Sequence, residues 1–184
     1  MLIARLARRG LLLGGLLFAS SAAAEDAVRT PVRLTAGASD EYMGVLSPDG
    51  EALYFVSDVR ATAELYVQRP VASAPRRVFE SHGDVAWPQI GPGGRIAYVS
   101  FVRDATGDAC LLSPDGAEGP CLTGIETSEL QVGWLPKSAR LAVLRRSGLH
   151  GDFRIDVFDR SGGSAETLLE RNAVGIAVDP QERW

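Results

Sequence analysis

The chain has little with which to do chemistry. Its 184 residues hold two cysteines and two histidines, too few for a zinc ribbon, an iron–sulfur cluster or a haem attachment site. Basic charge is short as well: 19 Lys and Arg stand against 23 Asp and Glu, so no positive footprint for nucleic acid exists. There is no Gly-x-Ser-x-Gly elbow, no His-Glu-x-x-His and no glycine-rich loop opening a helix. No Ser, His and Asp recur at phases that would assemble a triad. The expectation is a chain without catalytic residues, bound metal or cofactor. What is plentiful is turn chemistry, with twenty Gly and ten Pro.

The first 24 residues read as an export signal. Arg5, Arg8 and Arg9 form a positive region, an apolar stretch runs from Leu11 to Phe18, and Ala22-Ala23-Ala24 supplies a cleavage pattern before Glu25. The apolar stretch falls well short of the roughly 20 residues a bilayer span needs, so cleavage is expected over a retained anchor. Arg8-Arg9 also resembles a twin-arginine signal, with the general secretory route favoured. Cleavage removes three arginines and leaves an acidic chain with no affinity for an anionic membrane surface. The expectation is a periplasmic or secreted protein, not inserted in the membrane, with residues 25–30 as a linker.

A repeat organises the remainder. Pro48, Pro92, Pro136 and Pro180 stand 44 residues apart. The first two sit in Ser47-Pro48-Asp49-Gly50 and Gly91-Pro92-Gly93-Gly94, strong turns in which proline presets one φ and Gly50 or Gly94 takes a positive one. Before each proline runs an alternating segment (Tyr42, Gly44, Leu46; Ala86, Pro88, Ile90; Leu130, Val132, Trp134; Val174, Ile176, Val178), which predicts a strand with one continuous apolar face. After the first three prolines come near-continuous apolar runs, Leu53–Val56, Ile96–Val99 and Leu141–Leu144, which suit strands buried on both faces. Third strands are predicted at Leu65–Val67, Cys110–Leu112 and Ile155–Phe158, and fourth strands near Arg77–Phe79, Pro120–Leu122 and Thr167–Leu169. Four short antiparallel strands per 44 residues make one propeller blade, and no segment has the helical period. The predicted class is all-β: a partial β-propeller with blades near 36–79, 80–123 and 124–169, and an incomplete blade from 31–35 with 173–184.

Val45-Leu46-Ser47-Pro48-Asp49-Gly50, Leu53-Tyr54-Phe55-Val56-Ser57-Asp58 and Glu64-Leu65-Tyr66-Val67 together resemble the WD-like repeat of TolB-type β-propellers. Trp87-Pro88-Gln89-Ile90-Gly91-Pro92-Gly93-Gly94 is similar to it again. The resemblance covers about Arg33 to Trp184 and implies a rigid array that binds a protein or small ligand at its loops or channel mouth. It does not extend to TolB itself, which carries a separate domain ahead of its propeller. Similar blades in prolyl-oligopeptidase-type enzymes imply an alternative, the propeller portion of a serine peptidase with its catalytic domain beyond Trp184. Pro31-Val32-Arg33-Leu34-Thr35 matches a fourth strand one period before Val78, and Ala173–Val178 a first strand. The expectation is therefore an open array. Either it is part of a larger propeller, or its edges pair with another copy or a partner.

Individual residues refine this picture. Cys110 and Cys121 fold opposite one another about Asp115-Gly116, read as a two-residue hairpin turn, and export favours their disulfide over two free buried thiols. Glu64, Asp108 and Asp152 keep the 44-residue spacing ahead of the third strands. They read as carboxylates fixing each turn through loop N–H groups, or else as a ring binding a cation or basic ligand. His82-Gly83-Asp84 and His150-Gly151-Asp152 fall at different phases and read as surface turns, and Arg76-Arg77 and Arg145-Arg146 as solvated charges. Trp87 and Trp134 are expected between blades, with Trp87 also a candidate for the channel wall.

Overall fold

A computed structural model describes residues 31–182 except 125, 126, 149, 160, 162, 164 and 180. The expected export signal and linker, Pro180 and Trp184 lie outside the described residues. Residues Arg33–Trp184 form one compact unit, and the fold described is that of this unit.

The unit is all-β and contains three four-stranded antiparallel meanders. The first holds β1 (Glu41–Leu46), β2 (Leu53–Ser57), β3 (Glu64–Gln68) and β4 (Arg76–Arg77). In the second are β5 (Val85–Ile90), β6 (Ile96–Ser100), β7 (Asp108–Leu112) and β8 (Glu118–Cys121). The third comprises β9 (Thr127–Leu135), β10 (Arg140–Ser147), β11 (Arg154–Phe158) and β12 (Glu166–Leu169). Each is one propeller blade.

The second strands explain why the blades stack. Every residue of β6 is buried, and β10 is buried from Leu141 to Leu144. One face of β6 meets the first blade, where Ile96 and Tyr98 join Leu65 and Tyr54. Its other face meets the third blade, where Ala97 and Val99 join Leu141, Val143 and Trp134. A strand with two apolar faces needs a neighbour on both sides, so a single blade could not bury itself.

The first strands depart from the predicted continuous face. The ladder slips by one residue between Tyr42 and Val45, and again between Ala86 and Gln89. Met43 and Trp87 occupy these bulges with φ of 53° and 52°. An inserted residue turns the pleat over, so side chains on either side of it point to opposite faces. Tyr42 and Leu46 are both exposed.

Entry into each blade repeats a single bond. Val85 N–H donates to Ala63 O (2.8 Å), Glu129 N–H to Thr106 O (3.1 Å) and Ala173 N–H to Phe153 O (3.0 Å). Residues 173–178 therefore lie where the next first strand would, yet they and residues 31–35 form no sheet ladder. A ladder needs a strand alongside, and the described residues hold none beside either segment.

Cys110 and Cys121 are directly opposed on β7 and β8 and form a disulfide. The connection differs from the predicted two-residue turn. Gly116 N–H closes on Ser113 O, and Ser113 N–H pairs with Ala117 O, so Pro114 and Asp115 are the central residues. Gly116 follows with φ of 86°, a position an L side chain resists. The offset is reversed by a register shift between Cys110 and Leu112, which restores the cysteine pairing. All of β8 is exposed, so it buries nothing to hold it in place and the disulfide is its covalent anchor. Replacing both cysteines with serine should cost about 2–3 kcal/mol in urea unfolding, from the entropy of a loop this short, with strand content retained by far-ultraviolet dichroism.

Candidate functional site

The turns after the first strands bring three period-related prolines to one place. Pro48, Pro92 and Pro136 rim a cavity of about 540 Å³ at the turn ends of the first strands. Ser47 and Asp49 show how the first of these turns is locked. The Ser47 hydroxyl donates to Asp49 Oδ1, which also accepts Glu51 N–H (3.0 Å), while Ser47 Oγ accepts Ala52 N–H (2.9 Å). The Ser47 hydroxyl, followed by the Glu51 N–H, holds the Asp49 carboxyl below its ordinary pKa. Gly50 and Gly94 take φ of 72° and 77°, as the turns require. Asp49, Gly50 and Gly94 are thus turn residues, as is Ser113-Pro114-Asp115-Gly116, whose serine and aspartate repeat the same contact.

Behind the rim, Trp134 and Gln131 set the walls. Trp134 is 7% exposed, and its indole Nε1–H donates to Gln89 O across the blade boundary (3.2 Å). Its ring lies flat against Gly91, where a Cβ would overlap it. Gln131 turns toward the segment after the third blade. Its amide Nε2–H donates to Ile176 O (3.0 Å), and its Oε1 accepts Ile176 N–H (2.9 Å). One side chain thus satisfies both backbone groups of an extended residue. Ile90, Val132 and Val178 complete an apolar interior, and among the described residues none of the wall ionises. Such a site selects by shape and apolar contact, since the Gln131 amide and the Trp134 indole N–H are already paired within the chain.

The repeated carboxylates lie apart from this cavity and from one another. Glu64 is buried and accepts from Arg77 Nη1–H (2.9 Å), with Arg60 at 3.6 Å and Tyr66 OH donating at 3.5 Å. Asp108 is 1% exposed and pairs with Arg103 Nε (2.8 Å). Both are neutralised by arginine, so the turn-fixing reading needs correction in its partner. Asp152 is exposed and does not continue the series. Because β10 extends to Ser147 and β11 begins only at Arg154, Arg154 stands opposite Arg145 where Glu64 and Asp108 stand opposite Ser57 and Ser100; the buried carboxylate of the third blade, Asp156, lies two residues further along, held by Arg145 Nε (2.6 Å) and Arg154 Nε (3.0 Å). Arg145 is accordingly an ion-pair partner stacked on Phe158 and not a solvated charge, and Arg77 likewise serves Glu64.

His82 and His150 are both exposed. Asp84 accepts Ala63 N–H (2.9 Å), which ties the first blade to the second. Trp87 is 38% exposed at its bulge, whereas Trp134 packs between blades. Among the described residues, no three His, Cys, Asp or Glu side chains converge as metal ligands. Sequence reasoning missed Gln131, Gln89 and the buried Glu129. Gln131 carries a signal in hindsight, since it is the polar residue at the phase of Met43 and Trp87.

No family model matches this sequence, and no curated protein does. Solved structures do. A TolB-assigned protein from Agrobacterium tumefaciens is 18% identical with a TM-score of 0.62, over 71% of this chain and 49% of that one. TolB from Acinetobacter baumannii is 17% identical with a TM-score of 0.61, over 78% and 36%. The fold is that of the TolB-like β-propellers. A puromycin-hydrolyzing peptidase from Mycobacterium tuberculosis is similar too, at 22% identity and a TM-score of 0.58, over 74% of this chain and 23% of that one. The chain spans less than half the length of each of these proteins.

The contact between Gly91 and Trp134 makes a direct prediction. Gly91→Ala must push the indole out of its seat, which should cost roughly 1–3 kcal/mol and shift tryptophan emission to longer wavelength in the folded protein.

Proposed function

We propose that this TolB-like propeller array is an exported, non-catalytic binding module, with the proline-rimmed cavity as its ligand site. The ligand is an uncharged, extended peptide segment of a protein partner. The observation that carries this reading is an apolar wall in which no described residue ionises, beside which the Gln131 amide, already paired with the N–H and C=O of Ile176, shows how the wall receives a backbone segment. A wall of this kind suits backbone amides and apolar side chains and gives nothing to a charged ligand. Export is supported by the three-part N-terminal pattern and by the disulfide, which persists in an oxidising compartment.

A second reading, the propeller portion of a serine peptidase, is supported by likeness to peptidase structures, among them dipeptidyl peptidase 4 from Porphyromonas gingivalis at 16% identity and a TM-score of 0.53. Likeness at that level is of fold alone. Peptide hydrolysis by the product purified from its source, inhibited by a serine-directed reagent, would favour this reading over the first.

The binding reading is tested with an array of immobilised hexapeptides spanning acidic, basic and uncharged apolar sequences. Retention should concentrate on the uncharged apolar set and change little with salt. Pro136→Glu places a charge on an exposed rim position and should weaken retention at least tenfold with an unchanged melting temperature. Retention that favours charged peptides, or that ignores Pro136→Glu, would contradict the proposal.

A further inference from the structure

The seat where each first strand enters its blade takes three different side chains. Val85, Glu129 and Ala173 stand 44 residues apart and make the same inter-blade backbone bond. Their exposures are 2%, 0% and 6%, so each seat is closed to water. Two are filled by apolar groups and the third by a carboxyl.

We propose that the joint between the second and third blades is a pH-sensitive latch, closed when the Glu129 side chain is neutral and loosened when it ionises. Three features of the geometry support it. First, the carboxyl sits within the bonds that join the blades. Glu129 N–H donates to Thr106 O, and the Thr106 hydroxyl donates to Thr127 O (3.0 Å). Second, the carboxyl is only half satisfied. Thr127 Oγ1–H donates to Glu129 Oε1 (2.6 Å), while Oε2 is buried without a hydrogen-bond partner. A buried carboxylate oxygen without a partner is costly, and a protonated one far less so.

Third, the charges around the carboxyl are already committed to one another. Arg145, directly across on β10, commits its Nε to Asp156. From β7, Asp108 faces Glu129 as a second anion, itself paired with Arg103. Asp104, on the loop before β7, accepts Thr106 N–H (2.8 Å) and adds further negative charge beside the joint. Asp108 Oδ1 and Asp156 Oδ1 are likewise buried without hydrogen-bond partners, although each aspartate is paired with arginine through its other oxygen. Arg146, the neighbour of Arg145 on β10, lies over the Phe153 ring.

Burial, the largest influence, pushes the Glu129 carboxyl up to about 7; the Thr127 hydroxyl, Arg145 and the Thr123 hydroxyl oppose the rise, while Asp108 adds to it. The sign of the linkage follows. Between the ordinary carboxylate pKa and about 7, the folded chain holds a proton that the unfolded chain has released, so stability falls as pH rises through this window and levels off above it. The contribution is complete only below the ordinary carboxylate pKa, while the folded seat keeps its proton up to about pH 7.

The test compares wild type with Glu129→Gln, which keeps shape and hydrogen-bonding but cannot ionise, in urea unfolding from pH 5 to 8. Wild type should lose up to about two orders of magnitude in its folding equilibrium constant relative to Glu129→Gln across that range. Taking the ratio to the variant removes whatever pH dependence the two proteins share. Glu129→Val, which copies the seat at Val85, should match the flat profile of Glu129→Gln. Infrared spectroscopy of the wild-type protein supplies a readout independent of variant folding, because a protonated-carboxyl stretch should persist at pH 6 and vanish by pH 8. Parallel pH profiles for wild type and Glu129→Gln, or a protonated-carboxyl band missing at pH 6, would overturn the proposal.

Discussion

The structure depends on strands that have no solvent face. Val99 and Val143 are wholly buried, and they meet through the same cluster, one from each of two adjacent blades. Neither sheet can satisfy its second strand by itself, so stability resides between blades more than within them. The two end faces follow the same rule. Ile176 and Val178 cover Ala142 and Val157 on the far side of the third blade. On the first blade, Leu34 and Thr35 lie beside Leu53 and Phe55. Both coverings do the work of a neighbouring sheet without forming a ladder.

This stacking also separates the two ends of the first strands by chemistry. At the turn end, three prolines, two glutamines and a tryptophan make a neutral cavity. At the entry end, buried carboxylates are answered by arginines, and Glu129 lies among them. Between the ends, the bulges at Met43 and Trp87 turn the pleat over, and the Trp87 N–H donates to the Met43 sulfur across the blades (3.2 Å). Binding at one end and cohesion at the other therefore draw on the same three strands. A change in blade spacing at Glu129 would be felt at the wall that Trp134 and Gly91 build.

Much of the fold was legible because it repeats. The equal spacing of Pro48, Pro92 and Pro136 placed the turns, and the apolar runs beside them identified the doubly buried strands. Cys110 and Cys121 were legible as a pair, although the turn between them was misjudged by one residue that a bulge then recovers. The bulges themselves were not legible, because neither methionine nor tryptophan announces a positive φ. Asp152 misled for a related reason. Equal spacing marks equivalent positions only while hairpins keep equal length: the longer β10–β11 hairpin puts Arg154 at that position, and the buried carboxylate of the blade, Asp156, lies two residues beyond it. Of the site, the proline rim was visible and the Gln131 clamp was not, since a lone glutamine in an apolar strand reads as a surface residue until its partner is known.

The central claim is that cohesion lies at the faces between blades, carried by the second strands. Residue-resolved amide hydrogen exchange under native conditions tests it most directly. The account predicts slowest exchange in β6 and β10, whose faces are covered by neighbouring blades or by Ile176 and Val178, and fastest exchange in the outer strands β4, β8 and β12. Equal protection across all four strands of a blade, or slowest exchange in the outer strands, would contradict it.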